Sequence, residues 1–453
     1  MRVDPAPGAR YSTQDEETET HYCSIELYRS DIALCPKSWS TSPGTILYNL
    51  QTIPFSGTSA EFERTACSEQ KKYKKLLKYK QTMNEVDTSG TYSTSSLVYY
   101  HLSRFLDATI HVPVSVYREM DRQAHLERVT ESGISMGLSG MIGAGWKHLY
   151  DAESRESNYS PLEHLFTRDR QKIYGIFISG VGERYGPEIN GIRSAWGVPQ
   201  NLDFQETPAF RALRSELPFR NAIRQVLNSY GAYLTTAPNT SATKALLESL
   251  AKTYPKMNVP QMVYWMKELS EIAVLDFVLT QQDRIGNIDY EWVWYWREGN
   301  QLRSQTVGSD LPLDRKSEVP MPPGLSAKSP LLLQRSHLND NDAGTYTRYA
   351  NYTKKTEMLE KIRHLAPATY VRLKELAMDF RKKGRLYRYF EGKFGLSPGD
   401  LAGLVRNTEL AFGILQNQCR KGSIRFDLDP EATLLEELGA SSTAQQSSQP
   451  LGC

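Results

Sequence analysis

Asp283, Arg284 and Asn287 share one polar loop in residues 273–290, AVLDFVLTQQDRIGNIDY. An apolar run (Val274, Leu275, Phe277, Val278, Leu279) leads into this loop, and the aromatic stretch from Tyr290 to Trp296 leads out of it. An Asp so placed can orient a hydroxyl or take its proton, and an Asn a few residues on can hold a metal on nucleotide phosphates. Alone, DRIGN reads as a helix-ending turn, because Asp and Asn are ordinary turn residues. The chemistry needs two further groups: a lysine upstream to grip phosphate, and a carboxylate downstream to hold a hard divalent cation. Lys80, within YKKLLKYKQT, and Asp340, within HLNDNDAG, are of the right types and stand in the right order.

The elements that must position these groups follow from patterning. Residues 73–82 alternate well enough for a half-buried strand carrying Lys80. Residues 94–106 read as an amphipathic helix capped by Ser95 or Ser96, and 108–120 as a β-branched strand broken by Pro113. Residues 172–179 form a buried strand, followed by a long Gly-rich polar loop of the kind that often carries function. Helices are expected over 209–227 with a break at Pro218, over 242–252, and over 260–279 just before the polar loop. The aromatic run then forms a strand, 297–330 an exposed insert, and 331–333 a short strand leading to Asp340. Apolar spacing marks helices on both sides of Pro367 and again over 398–419. The glycine-rich stretch 132–146 fits neither GxGxxG after a strand nor a P-loop, so it reads as a flexible connection. Residues 1–20 and 439–453 read as disordered from composition.

The whole chain narrows the classes. A net charge of +2 over 453 residues argues against a general nucleic-acid binder. The basic runs at 71–80 and 381–385 read as solvated faces. No apolar run approaches the roughly 20 residues that span a bilayer, and the first residues lack the apolar segment of a secretory signal. That leaves a cytoplasmic protein, or an extracytoplasmic one if a signal has been removed. The five cysteines show no CxxC spacing, so zinc is not expected. Cys23 and Cys35 either bridge a short hairpin in an oxidising compartment or stay as buried thiols. NDNDAG does not fit an EF-hand loop, which needs Gly at its sixth position and Glu at its twelfth. The HExxH motif of zinc hydrolases is missing.

Read together, these segments resemble the atypical kinases: the secretory-pathway (Golgi casein kinase) family and, more distantly, the phosphoinositide and HipA-type kinases. Tyr79-Lys80-Gln81 resembles their aromatic-Lys-Pro element, and LVYYHLSRFLDATIHVPVSVYREMD resembles the N-lobe helix and strand of the secretory-pathway group. Asp283-Arg284 resembles the Asp-Arg-His catalytic loop, and Asp340-Asn341 the Asp-Asn metal-binding segment. The resemblance implies an α+β, bilobal protein-kinase-like fold with a β-rich N-lobe over 21–180 and a mostly helical C-lobe over 181–438. It implies an ATP-dependent phosphotransferase acting on a hydroxyl of a protein or glycan. Asp283 would be the catalytic acid/base, with Arg284 fixing the loop. Lys80 would pair with the phosphates, and Asn287 and Asp340 would hold Mg²⁺ or Mn²⁺, with Asp342, two residues on, as the alternative to Asp340. Three departures accompany it. Ser96 stands where a helix Glu would pair with the lysine, leaving Glu85 as the nearest acidic candidate. The Asp283-to-Asn287 gap is one residue short, and Ile285 replaces a usual His. These departures keep a pseudokinase or scaffold as the alternative. A third reading takes Trp292, Trp294 and Trp296 as a stacking platform for a carbohydrate or peptide.

Overall fold

Lys80 sits on the middle strand of a five-stranded antiparallel sheet. The strands are β1 (Ile32–Pro36), β2 (Thr45–Asn49), β3 (Leu77–Gln81), β4 (Ser115–Asp121) and β5 (Lys172–Ile178), in the order β1-β2-β3-β5-β4. The structure is a computed structural model that describes residues 2–440 and Cys453, apart from 86, 156–163, 181, 192–194, 237–247 and 249. In β3 successive side chains alternate between faces, so Tyr79 enters the core while Lys78 and Lys80 share the other side. Gly175 of β5 lies where an added Cβ would fall 2.4 Å from the Tyr79 ring, so glycine there lets the aromatic pack flat against the sheet.

A second sheet follows in sequence. β7 (Ile288–Glu298) pairs with the short β6 (Glu183–Arg184) and with β8 (Gln301–Val307), and along its other edge with β9 (Leu331–Leu338). Helix Val259–Val278 lies behind this sheet and is buried on nearly every face. Asn258 caps its first turn and Pro260 stands at its start, where a missing N–H costs nothing. Helices Pro367–Arg381 and Pro398–Arg420 complete the helical half. The architecture is α+β and bilobal, with the polar loop 279–287 and the segment 339–345 both issuing at the junction of the two sheets. No helix among the described residues is long and apolar enough to cross a membrane.

Several expectations are corrected by tertiary contacts. Residues 13–24 are helical rather than disordered, with Ser12 and Asp15 forming a capping box. The acidic residues that suggested disorder are matched from elsewhere: Asp15 by Arg104 at 2.7 Å, and Glu19 by the Tyr100 hydroxyl at 2.9 Å. The glycine-rich stretch forms helices Glu131–Ser135 and Gly140–Ser154, not a loop. Its glycines allow close approach, since a Cβ on Gly133 would meet the Trp146 ring at 2.6 Å. Cys35 bonds to Cys67 rather than to Cys23, which is a free thiol, and Cys419 bonds to Cys453. The insert at 297–330 contains β8. Most of the helix expected over 242–252, and most of the tail, fall outside the described residues.

Candidate functional site

Lys80 points from β3 at the segment that follows β9. Its ammonium donates to Asp340 Oδ1 at 3.1 Å and to Asp342 Oδ1 at 3.0 Å, with the lysine side chain only 7% exposed. Burial pulls the ammonium's pKa down, but Asp342 and Asp340 more than offset this and the net shift is upward. Lys80 also holds the Asp340 carboxyl well below the usual carboxylate range, against the opposing effect of burial, with Lys78 and Lys37 adding to it. The pair is therefore ionised. Glu85 is not its partner: no ion pair joins Glu85 to Lys80 among the described residues, and the buried counter-charge comes from Asp342.

Asp340, two residues beyond β9, adopts a left-handed conformation, φ +50°, a region that Asp tolerates better than most residues. The turn leaves the Asp340 side chain 39% exposed while Asp342 stays buried. Helix Ser93–Phe105 grips this segment by hydrogen bonds: Ser95 Oγ donates to the Asn341 carbonyl at 2.6 Å, and the Tyr92 amide donates to the Asp342 carbonyl at 2.7 Å. Ser96, on the same helix, is buried.

The polar loop is laced to the same segment. Arg284 is buried and donates from Nε to Asp276 Oδ2 at 2.9 Å and from Nη2 to Asp276 Oδ1 at 3.1 Å. Its remaining donors reach forward, Nη1 to the Asn339 carbonyl and Nη2 to Asn341 Oδ1, each at 2.8 Å. The Tyr99 hydroxyl closes the network on Asp276 Oδ1 at 2.8 Å. The Gln281 side chain accepts from the Asp283 amide at 3.0 Å and donates toward the Asp340 carbonyl at 3.5 Å. Gly286, at φ +80°, turns the chain into β7, and Asn190 Oδ1 accepts from the Gly286 and Ile288 amides. Ile285 is buried, and Asp283 remains half-exposed.

Asn287 meets the other side of Asp340 through Arg184. Its Nδ2 donates to the Asp283 carbonyl at 2.6 Å, and its Oδ1 accepts from Arg184 Nη1 at 2.8 Å. Arg184 also donates from Nε to Asp289 Oδ1 at 3.1 Å and places Nη2 3.6 Å from Asp340 Oδ2. Asn339 Nδ2 donates to the second oxygen of Asp289. The side chains of Lys80, Asn287 and Asp340 and the backbone of Asp283 thus come together at one junction.

Of the two expected metal ligands, Asp340 fits a hard cation as an ionised, partly exposed carboxylate. Asn287 does not fit as placed, because both ends of its amide are already engaged and its oxygen faces a guanidinium. No group of three or more His, Cys, Asp or Glu side chains spaced to hold a metal is found among the described residues.

Other members of the site were not singled out from sequence. Lys37, 5% exposed at the start of the β1–β2 loop, donates to Ser42 Oγ at 3.3 Å. Its pKa falls to about 7, chiefly through burial and then through Lys80. Asp276 carried a local signal, a lone carboxylate inside the apolar run AVLDFV. Arg184 and Asn190 lie within the long loop after β5, where only the loop's length and polarity hinted at a role. The aromatic platform loses its footing: Trp292 and Trp294 are buried and donate to the carbonyls of Leu311 and Pro320, and Trp296 alone is half-exposed.

No protein-family model matches the chain, and no curated protein matches it by sequence. Solved structures of similar course include the Golgi casein kinase with Mn/ADP bound, at 10% identity and TM-score 0.42 over 90% of this chain and 77% of that one. They include a second structure of the Golgi casein kinase, at 10% identity and TM-score 0.43 over 93% and 81%. Hydra Fam20 with sugar matches at 11% identity and TM-score 0.41 over 90% and 93%. Function therefore rests on the side chains.

Proposed function

We propose that the chain is a metal-dependent ATP phosphotransferase acting on a hydroxyl of a protein or glycan. One observation carries this reading: the Lys80 ammonium lies 3.1 Å from Asp340 Oδ1, while Arg284 and Gln281 tie the Asp283 loop to the same segment. A cation-bearing strand, a carboxylate for a divalent ion and a half-exposed Asp on a braced loop are the parts that phosphoryl transfer requires.

In this reading Lys80 turns from Asp340 to the nucleotide phosphates and is kept protonated by Asp342. Asp340 holds Mg²⁺ or Mn²⁺, which when bound neutralises phosphate charge. Asp283 orients the acceptor hydroxyl and takes its proton, and Arg284 fixes the loop through Asp276. Lys78 adds positive charge beside the phosphates, and Lys37 does so while it is protonated, below about pH 7. The two disulfides suit an oxidising compartment.

The pseudokinase alternative keeps one specific support, the engagement of Asn287 by Arg184. The test is ATP binding and transfer of the terminal phosphate with Mn²⁺ present, in the parent chain and in Asp340→Ala. Loss of metal-dependent nucleotide binding in the variant is expected. Unchanged binding and turnover would remove the reading, and binding without any transfer in the parent would favour the alternative.

A further inference from the structure

Arg184 occupies the space where a second cation would be expected. Two divalent ions commonly serve phosphoryl transfer, one on the carboxylate after the last strand and one on the catalytic-loop Asn. Here three different nitrogens of one guanidinium reach the side chains around that second position: Nη1 to Asn287 Oδ1 at 2.8 Å, Nε to Asp289 Oδ1 at 3.1 Å, and Nη2 to Asp340 Oδ2 at 3.6 Å. These contacts engage all three guanidinium nitrogens, and a guanidinium does not lose its charge at any ordinary pH.

The local backbone places Arg184 there. β6 pairs Arg184 directly opposite Asp289 of β7. Gly182, at φ +97°, lets the chain enter β6 where a Cβ would lie 2.7 Å from the Tyr290 carbonyl oxygen. A divalent ion on the same oxygens would stand against a fixed positive charge at contact distance, which Coulomb repulsion disfavours. It would also have to strip Asn287 and Asp289 of their present donor.

We propose that the Arg184 guanidinium takes the place of the second divalent cation, so that the chain binds a nucleoside triphosphate with a single metal ion. The proposal rests on the phosphotransferase reading of the same site. It makes Asn287 and Asp289 ligands of an arginine, and it leaves Asp340 Oδ1 and Lys80 as the metal and phosphate side of the junction. The guanidinium, 43% exposed, remains free to turn a donor toward the phosphates when nucleotide enters.

The test counts bound Mn²⁺ by electron paramagnetic resonance on the full chain saturated with a non-hydrolysable ATP analogue. One ion per chain is expected in the parent, two in Arg184→Met and Arg184→Gln, and one in Arg184→Lys, which keeps a charge. The two neutral variants differ in polarity, so a folding failure in one leaves the other to report. Two ions in the parent, or one in the folded neutral variants, would overturn the proposal and leave the phosphotransferase reading standing. A parent chain that binds neither Mn²⁺ nor the analogue would overturn both.

Discussion

Lys80 and Asp342 are 262 residues apart in sequence and 3.0 Å apart in the structure, with both side chains almost wholly buried. The residue that orients the phosphate-binding lysine therefore comes from the same short segment as the metal-binding candidate Asp340, not from helix Ser93–Phe105. That helix contributes hydrogen bonds to the segment's backbone instead. The one segment 339–345 thus sets both the lysine and the carboxylate that faces the cation.

Removing Asp342 should accordingly cost more than removing a surface partner. Asp342→Asn leaves the buried Lys80 ammonium with Asp340 as its only carboxylate, and breaking a buried pair typically costs about 3–5 kcal/mol. A loss of about 3 kcal/mol in urea unfolding is expected, with much of it recovered in the double variant Lys80→Met, Asp342→Leu. A single variant within about 0.5 kcal/mol of the parent would show that Asp342 carries no such load.

Asp283→Ala separates chemistry from binding. Asp283 is half-exposed, and the loop around it is held by Arg284, Gln281 and Asn190, so its side chain can be removed without unravelling the site. Turnover should fall by roughly 10²–10⁴-fold, the usual contribution of a positioned base, while nucleotide affinity stays within a factor of about two. Steady-state kinetics with calorimetric binding distinguishes these outcomes, and parent-like turnover would discard Asp283 as the base.

How far the sequence alone reached depends on whether a signal was local. The strand with Lys80, the helix before DRIGN, the aromatic strand and the strand ending at Asp340 all announce themselves through periodicity or β-branched and aromatic content. Pro367 and Pro398 open the helices Pro367–Arg381 and Pro398–Arg420 as their fixed φ favours. The N-terminal helix stayed hidden because Asp15 is paired with Arg104 and Glu19 accepts from the Tyr100 hydroxyl, partners some eighty to ninety residues away. The partner of Cys35, the partner of Lys80 and the placement of Arg184 against Asn287 are likewise products of packing between distant segments. Glycine content misled at 132–146, because there it serves helix-to-ring contact rather than a loop.

Arg284 is predicted to act by position. Arg284→Met leaves the Asp276 carboxylate buried with only the Tyr99 hydroxyl beside it, and removes the ties to Asn339 and Asn341. Stability should drop by about 3–5 kcal/mol, and by clearly less when Asp276→Leu is added. The folded fraction should also lose turnover with little change in nucleotide affinity. A variant that is destabilised yet turns over normally when folded would assign Arg284 a purely structural role.

Lys37 makes stability depend on pH in a stated direction. Its pKa falls from an ordinary 10.5 to about 7, first through burial and then through the nearby charge of Lys80. Lys78 acts in the same sense, and Asp340 and Asp342 oppose it. Below about pH 7 both folded and unfolded chains carry the proton, and the full penalty of burying the charge is present. Between about pH 7 and 10.5 the unfolded chain holds more protons than the folded one, so this residue makes stability rise with pH. The slope can reach about 1.4 kcal/mol per pH unit for one group. Lys37→Met removes the titration, so it should be more stable than the parent near neutrality, with the gap closing toward pH 10. Urea unfolding of both proteins at several pH values gives the comparison. Parallel curves across that window would mean that Lys37 keeps its ordinary protonation in the folded chain, and that the junction accepts a second buried ammonium without cost.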